Sequence, residues 1–139
     1  MAEVLSKAEI QQMLDNSPFI SFMQLKVEEL DPDEDRIVMR MPMRPEFERR
    51  AGTGQWHGGP IAALIDTAGD YAVVMKVGAG VPTVNFRTDF LRPGINTDLI
   101  ATARVRRAGR SIAVVDIDVH DESGKLLAVG RGTYVPQAG

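Results

Sequence analysis

The sequence contains no cysteine, and that absence removes several kinds of site at once. Without a thiol there is no disulfide, no thiolate metal site and no cysteine nucleophile. Histidine is scarce as well, with two residues in 139. Neither has zinc-ligand spacing, so we predict no metal site. Positive charge is not in excess either, because the formal net charge is -3. We therefore expect no general attraction to nucleic acid or to an anionic membrane.

Long, purely apolar runs are also missing. The best candidate for a membrane span is interrupted by Asp66, Asp70 and Lys76, so we predict none. The first residues lack the basic region and apolar run of a secretory signal, and we expect a cytoplasmic protein. What remains is ordinary for a globular chain, with 44% hydrophobic and 25% charged residues. We predict a single domain over residues 1–139.

The stretch from Gly52 to Gly78 carries most of the functional signal. A glycine-rich turn containing His57 leads directly into Pro60, which suits the first turn of a helix. The apolar residues that follow leave no polar face, which predicts a central helix over 58–77 that is buried on all sides. Such a helix needs contacts with a partner subunit, so we expect at least an obligate dimer.

The rest of the chain predicts a sheet around that helix. An N-terminal helix within residues 1–18 begins with capping-box spacing between Ser6 and Glu9 and is expected to stop at Ser17-Pro18. Alternating apolar residues predict two strands before the central helix and four after it, joined by short turns. Late strands with short connections form an antiparallel sheet, so the predicted fold class is α+β.

Asp66 lies in the middle of the apolar helix, where burying a carboxylate costs several kcal/mol, roughly, unless it is paired or solvated. It is either a structural residue bonded to an amide or an arginine, or a base whose pKa burial raises. Asp70 lies one turn later on the same side and is expected to be the less enclosed of the two. The amides at Gly58 and Gly59 open the helix and suit an oxyanion, unless packing alone requires the turn.

These residues resemble the PaaI-like acyl-CoA thioesterases of the hotdog fold. The resemblance rests on His57-Gly58-Gly59 followed by Asp66 at the family's spacing. Further matches are Gly54, the strand end over 89–93 and the turn over 107–110. It implies a curved antiparallel sheet wrapped around a long central α-helix, and an acyl-CoA thioesterase that works as a homodimer or homotetramer. CoA would be part of the substrate, and no cofactor is implied.

The family's roles transfer residue by residue. The resemblance implies that the Gly59 amide polarises the thioester carbonyl and that Asp66 of the other subunit acts as general base or nucleophile. Thr83 would orient the water, and His57 would shape the carbonyl pocket. The remaining substrate-binding candidates are Gly58, Trp56 and Gln55, with Arg107 and Arg110 near the CoA phosphates.

One departure from the family pattern bears on activity. Relatives commonly carry Asn six residues before the histidine, where this chain has Ala51. Gln55, Arg50 or Thr53 could replace the missing polar group. If none does, the chain is a slow enzyme or a non-catalytic acyl-CoA binder. A third reading, a hotdog hydratase or dehydratase, is disfavoured because no Asp-x-x-x-x-His follows Asp66 or Asp70.

Overall fold

The computed structural model describes residues 5–136, which contain three α-helices and six β-strands. In chain order the elements are α1 (Lys7–Asn16), α2 (Pro18–Met23), β1 (Lys26–Asp31), β2 (Arg36–Met41), α3 (Gly58–Val77), β3 (Thr83–Phe90), β4 (Leu99–Ala108), β5 (Ala113–His120) and β6 (Leu126–Tyr134). No helix in this part of the chain is long and apolar enough to cross a membrane.

All six strands form one sheet, in the order β1-β2-β4-β5-β6-β3, and every neighbouring pair is antiparallel. The sheet curves around α3, so the predicted α+β hotdog architecture is confirmed. Strand alternation explains the packing, since Ala113, Val115, Ile117 and Val119 of β5 are buried while Asp118 faces outward. The sheet ends in two edges, β1 and β3, and α1 packs beside β1.

The N-terminal segment contains a helix that the sequence reading missed. The predicted capping box is present: the Ser6 hydroxyl accepts from the Glu9 amide at 3.1 Å, and the Ser6 amide donates to the Glu9 carboxylate at 3.0 Å. Ser17-Pro18 does end α1, but Pro18 also begins α2. Proline is favoured at the first position of a helix because the amide it lacks would be unpaired there.

The expectation that α3 is buried on all sides is wrong for a single chain. One strip along the helix stays partly exposed, and it consists of Gly59, Ala62, Ala63, Asp66 and Asp70. Spacings of three and four residues place these positions on one helix face. The sheet covers the opposite side, whereas this strip of small and acidic side chains lines open space.

Candidate active site

A cavity of about 600 Å³ lies along the uncovered strip of α3. We call it the carboxylate cavity, because both Asp66 and Asp70 line it. Its apolar walls come from Phe19 and Ile20 of α2, Tyr71 of α3 and Phe86 of β3. The volume is typical of a site for a small organic ligand, and so is the combination of apolar walls with a few polar groups.

Asp66 is held in place from two sides. The Thr83 hydroxyl donates a hydrogen bond of 2.9 Å to the Asp66 carboxylate, and the Tyr134 hydroxyl donates one of 3.0 Å to its backbone carbonyl. Burial raises the pKa of Asp66, and the Thr83 hydrogen bond partly opposes that rise. A half-buried, oriented carboxylate with a raised pKa can act as a general base near neutrality.

Burial raises the pKa of Asp70 more than that of Asp66. The expectation that Asp70 is the less enclosed of the two is therefore wrong. Burial first, and the charge of Asp66 second, raise the pKa of Asp70 to about 7. The flanking Gly69 suggested exposure, but Gly69 and Tyr71 are themselves buried against the rest of the fold. Asp70 therefore lies in the cavity as a carboxyl that is partly protonated at neutral pH.

The start of α3 presents one paired and one free amide. His57 is the N-cap, and its Nδ1 accepts a hydrogen bond of 2.8 Å from the Gly59 amide. That pairing occupies the amide that the resemblance assigns to the thioester carbonyl. Within residues 5–136 the Gly58 amide has no such partner. Gly58 thus offers an unpaired donor at the positive end of the helix dipole.

Gln55 lies in the same groove as this free amide. The groove, which we call the amide groove, has a volume of about 420 Å³ and is lined by Gln55, Gly58, Phe90, Arg49 and Arg92, among others. Ala51, Arg50 and Thr53 do not line it. Of the three residues considered as replacements for the family asparagine, only Gln55 lines the groove together with Gly58.

Three other predicted residues lie away from the two carboxylates. The Trp56 ring is buried, stacks on Phe47 at 5.5 Å and donates from its indole nitrogen to the Thr97 carbonyl at 2.8 Å. Arg107 and Arg110 flank the β4–β5 turn. This turn lies toward the C-terminal end of α3, because Asp35 contacts both Lys76 and Val105 there. Neither arginine lines the carboxylate cavity or the amide groove.

The cavity also uses residues that the sequence did not single out. Phe19 and Ile20 reach it because α2 folds over α3, and Phe86 reaches it from the edge strand. Phe19 and Phe86 are 63% and 40% exposed, although aromatic side chains usually anchor the core. The alternation of residues along β3 predicted a strand there, but it did not indicate that Phe86 faces a cavity.

A further groove, of about 550 Å³, lies on the outer face of the sheet. Its arginines and aspartates largely neutralise one another: Arg131 pairs with Asp116 at 2.6 Å, and Arg87 with Asp89 at 2.9 Å. The sheet separates it from α3. Among residues 5–136, no cluster of three or more His, Asp or Glu side chains is placed to hold a metal ion.

Comparison with known proteins gives the family of this chain. A model of the thioesterase superfamily matches residues 53–128, which span α3, β3, β4 and β5 and include the Gln55 and Gly58 part of the amide groove. The chain belongs to the thioesterase superfamily. The predicted relationship to PaaI-like hotdog thioesterases is therefore confirmed, and so is the prediction of a thioester hydrolase.

Individual relatives cover most of the chain. A protein of Halobacterium salinarum with a provisional esterase name is 36% identical over an alignment of 136 residues, and the match covers 90% of this chain and 88% of that protein. The acyl-coenzyme A thioesterase PaaI of Escherichia coli is 35% identical over 109 residues, covering 78% of this chain and 76% of the relative. The solved structure of E. coli PaaI, from the phenylacetic acid degradation operon, superposes with a TM-score of 0.83 at 28% identity, covering 99% and 98% of the two chains.

Proposed function

We propose that this thioesterase hydrolyses acyl-CoA thioesters to a free acid and CoA, with Asp66 as the group that acts on the reacting carbon. The observation that carries the proposal is the Asp66 carboxylate in the carboxylate cavity, oriented by Thr83 and with its pKa raised by burial. Relatives named as acyl-CoA thioesterases support the substrate class.

The reaction needs two subunits. Gly58 and Asp66 are eight positions apart on one helix, which corresponds to a rise of about 12 Å. A thioester carbonyl held at Gly58 is therefore too far from a water held at Asp66 of the same chain for that water to attack it. Two copies with antiparallel α3 helices would bring Gly58 of one beside Asp66 of the other.

Strand β3 is the surface through which two copies would join. It is an edge strand of eight residues, and its free edge carries unpaired backbone groups. Val84 and Phe90 on it are 53% and 55% exposed. A long, exposed apolar edge is a template for pairing with another chain. Pairing of β3 with β3 would extend the sheet across both copies, and two such dimers could assemble into a tetramer.

In this arrangement the thioester carbonyl oxygen accepts a hydrogen bond from the Gly58 amide at the start of α3. Its negative charge in the tetrahedral intermediate is stabilised by that amide and the helix dipole. The Gly59 amide joins if His57 rotates away from it. Asp66 of the other subunit takes a proton from water as the oxygen attacks, and Thr83 keeps the carboxylate aimed at it. Collapse of the intermediate breaks the C–S bond, and the CoA thiolate takes up the proton.

Direct attack by the Asp66 carboxylate on the carbonyl carbon is the other route: the C–S bond breaks as the CoA thiolate leaves, and an acyl–enzyme anhydride forms. Water then hydrolyses the anhydride to the free acid and the Asp66 carboxylate, and the proton that is released goes to the CoA thiolate. The products are the same. In both routes Gln55 stands beside the carbonyl as the polar group that replaces the family asparagine. Arg49 and Arg92 line the amide groove and are exposed, so they offer cations to the CoA phosphates. Arg107 and Arg110 remain candidates for that role from the β4–β5 turn.

The test is thiol release from a panel of acyl-CoAs by the native enzyme and two variants. Asp66→Asn removes the base at constant shape and should lower kcat by about 100-fold or more. Asp118→Asn, on the outer sheet face, is the matched control and should leave kcat unchanged. Full activity in Asp66→Asn would contradict the mechanism.

The alternative is an acyl-CoA binder with little or no turnover. Two observations favour it: Ala51 lacks the family side chain, and the Gly59 amide is occupied by His57. Binding of a CoA ester without thiol release over hours would establish it. Hydratase chemistry has less support, because neither histidine lines the carboxylate cavity and Asp66 has no imidazole partner there.

A further inference from the structure

Asp70 is a polar group in the carboxylate cavity that hydrolysis does not use. It lies one helical turn from Asp66 on the same face, so the two side chains start roughly 6 Å apart. Tyr71 and Phe86 are among the large apolar side chains that line the same cavity. Within residues 5–136 Asp70 receives no hydrogen bond, whereas Asp66 has Thr83.

The position of Asp70 relative to the proposed reaction centre indicates which part of the substrate lies near it. The α3 strip runs from Gly59 through Ala62 and Asp66 to Asp70. In a pair of antiparallel helices, the second copy's Gly58 lies near Asp66, and Asp70 lies beyond it, away from the two-fold axis. A thioester carbon at Asp66 can therefore send its acyl chain along the apolar walls toward Asp70.

From this placement we infer that Asp70 is a specificity-determining residue that selects acyl groups bearing a hydroxyl about five or six carbons from the thioester carbonyl, a distance set by one helical turn. This inference rests on the proposed function, because it places the acyl group in the same cavity. Asp70 is a recognition group and takes no part in bond breaking.

The physical reason is the cost of an unpaired buried polar group. A wholly apolar acyl chain would cover Asp70 and remove its water without replacing the hydrogen bonds. A hydroxyl restores them, and a site built for a hydroxyl rejects the analogue that lacks it. Burial and, second to it, the charge of Asp66 raise the pKa of Asp70 to about 7, so below neutrality the carboxyl both donates and accepts.

The experiment compares hexanoyl-CoA with 6-hydroxyhexanoyl-CoA at about pH 6 in the native enzyme and in Asp70→Asn and Asp70→Leu. The native enzyme should show a kcat/KM about tenfold higher for the hydroxylated ester. Asp70→Leu should lose that preference through a lower value for the hydroxylated ester, with the plain ester unchanged or improved. Asp70→Asn keeps a hydrogen-bonding side chain and should keep most of the preference.

The inference would be overturned if the native enzyme's kcat/KM for the hydroxylated ester were equal to or lower than its kcat/KM for the plain ester. An equal loss on both esters in Asp70→Leu would also overturn it, because that is the result of a structural role. Binding of S-hexyl-CoA and S-(6-hydroxyhexyl)-CoA, thioethers that cannot be hydrolysed, separates the two proposals. If no ester is hydrolysed but the hydroxylated thioether binds tenfold tighter, hydrolysis fails and the role of Asp70 stands. If the esters are hydrolysed but the two thioethers bind equally tightly, the proposed hydrolysis stands and the role of Asp70 fails.

Discussion

At the scale of single residues, Thr83 and Asp66 act as one unit. The two side chains are seventeen positions apart and meet only because β3 lies along α3. Burial and the Thr83 hydrogen bond act in opposite directions on the pKa of Asp66, and burial has the larger effect. The proposed base must be ionised to accept a proton, so we expect activity to fall as the pH drops through the pKa of Asp66.

Removing the Thr83 hydroxyl should therefore make the enzyme more sensitive to acid. Without the hydrogen bond the ionised form of Asp66 loses about 1 kcal/mol of stabilisation. The pKa rises, and the acid limb of the pH profile of kcat/KM moves to higher pH. We expect Thr83→Val to show about fivefold lower kcat/KM than native on that limb.

Thr88→Val is the control for this prediction, because Thr88 is on the same strand and its buried hydroxyl has no hydrogen-bond partner among the described residues. Its pH profile should match that of the native enzyme. An acid limb that does not move in Thr83→Val would show that the hydroxyl does not stabilise the ionised base.

At the scale of elements, α3 approaches β6 closely at Gly69. A Cβ at Gly69 would lie 2.3 Å from the Tyr134 hydroxyl, which holds the Asp66 carbonyl. Glycine normally weakens a helix interior by about 1 kcal/mol relative to alanine. Here the small residue is required, because it lets the tyrosine reach the turn of α3 that carries Asp66.

Gly69→Ala should consequently destabilise the protein despite the better helix propensity of alanine. We expect a loss of about 2 kcal/mol in the free energy of unfolding from the clash and the displaced Tyr134. Urea denaturation measures it. Gly80→Ala is the control, since a Cβ there meets nothing within 4 Å, and it should be neutral or slightly stabilising. A gain in stability for Gly69→Ala would mean that Tyr134 can move without cost.

At the scale of the whole molecule, the exposed apolar residues of β3 and α2 lie on the side of α3 that the sheet leaves open. Phe19, Phe86 and Phe90 are each at least 40% exposed there, while the sheet buries the other side of the helix. A second copy that covers this side would complete the site and bury these rings together.

We expect Val84→Lys to weaken the proposed dimer and the activity together. The substitution places a charge on the β3 edge, and two copies would bring these charges into one interface. Light scattering should show a concentration-dependent shift toward monomer, with kcat/KM falling in proportion. Val84→Thr keeps the branched shape without charge and should remain dimeric. A native protein that is monomeric in light scattering would contradict both the assembly and the two-subunit site.

The sequence by itself determined the order of the six strands and of helices α1 and α3, because apolar period and turn residues are local properties. Strand β2 over 36–41 and the capping box of α1 follow from neighbours along the chain. The match to a known family came from His57-Gly58-Gly59 and Asp66. These residues are close in sequence, because they lie on α3 and on the turn that leads into it. The sequence missed α2, because Pro18 can end one helix or begin another and only packing selects between them.

Only the tertiary structure decided which groups are free and which are enclosed. It pairs the Gly59 amide with His57 and leaves that of Gly58 open, and it encloses Asp70 more than the flanking glycine suggested. It also leaves one face of α3 uncovered, although the composition of the helix predicted burial on every side. The reason is that hydrophobicity states what a residue can bury, whereas burial depends on which surfaces the chain brings against it.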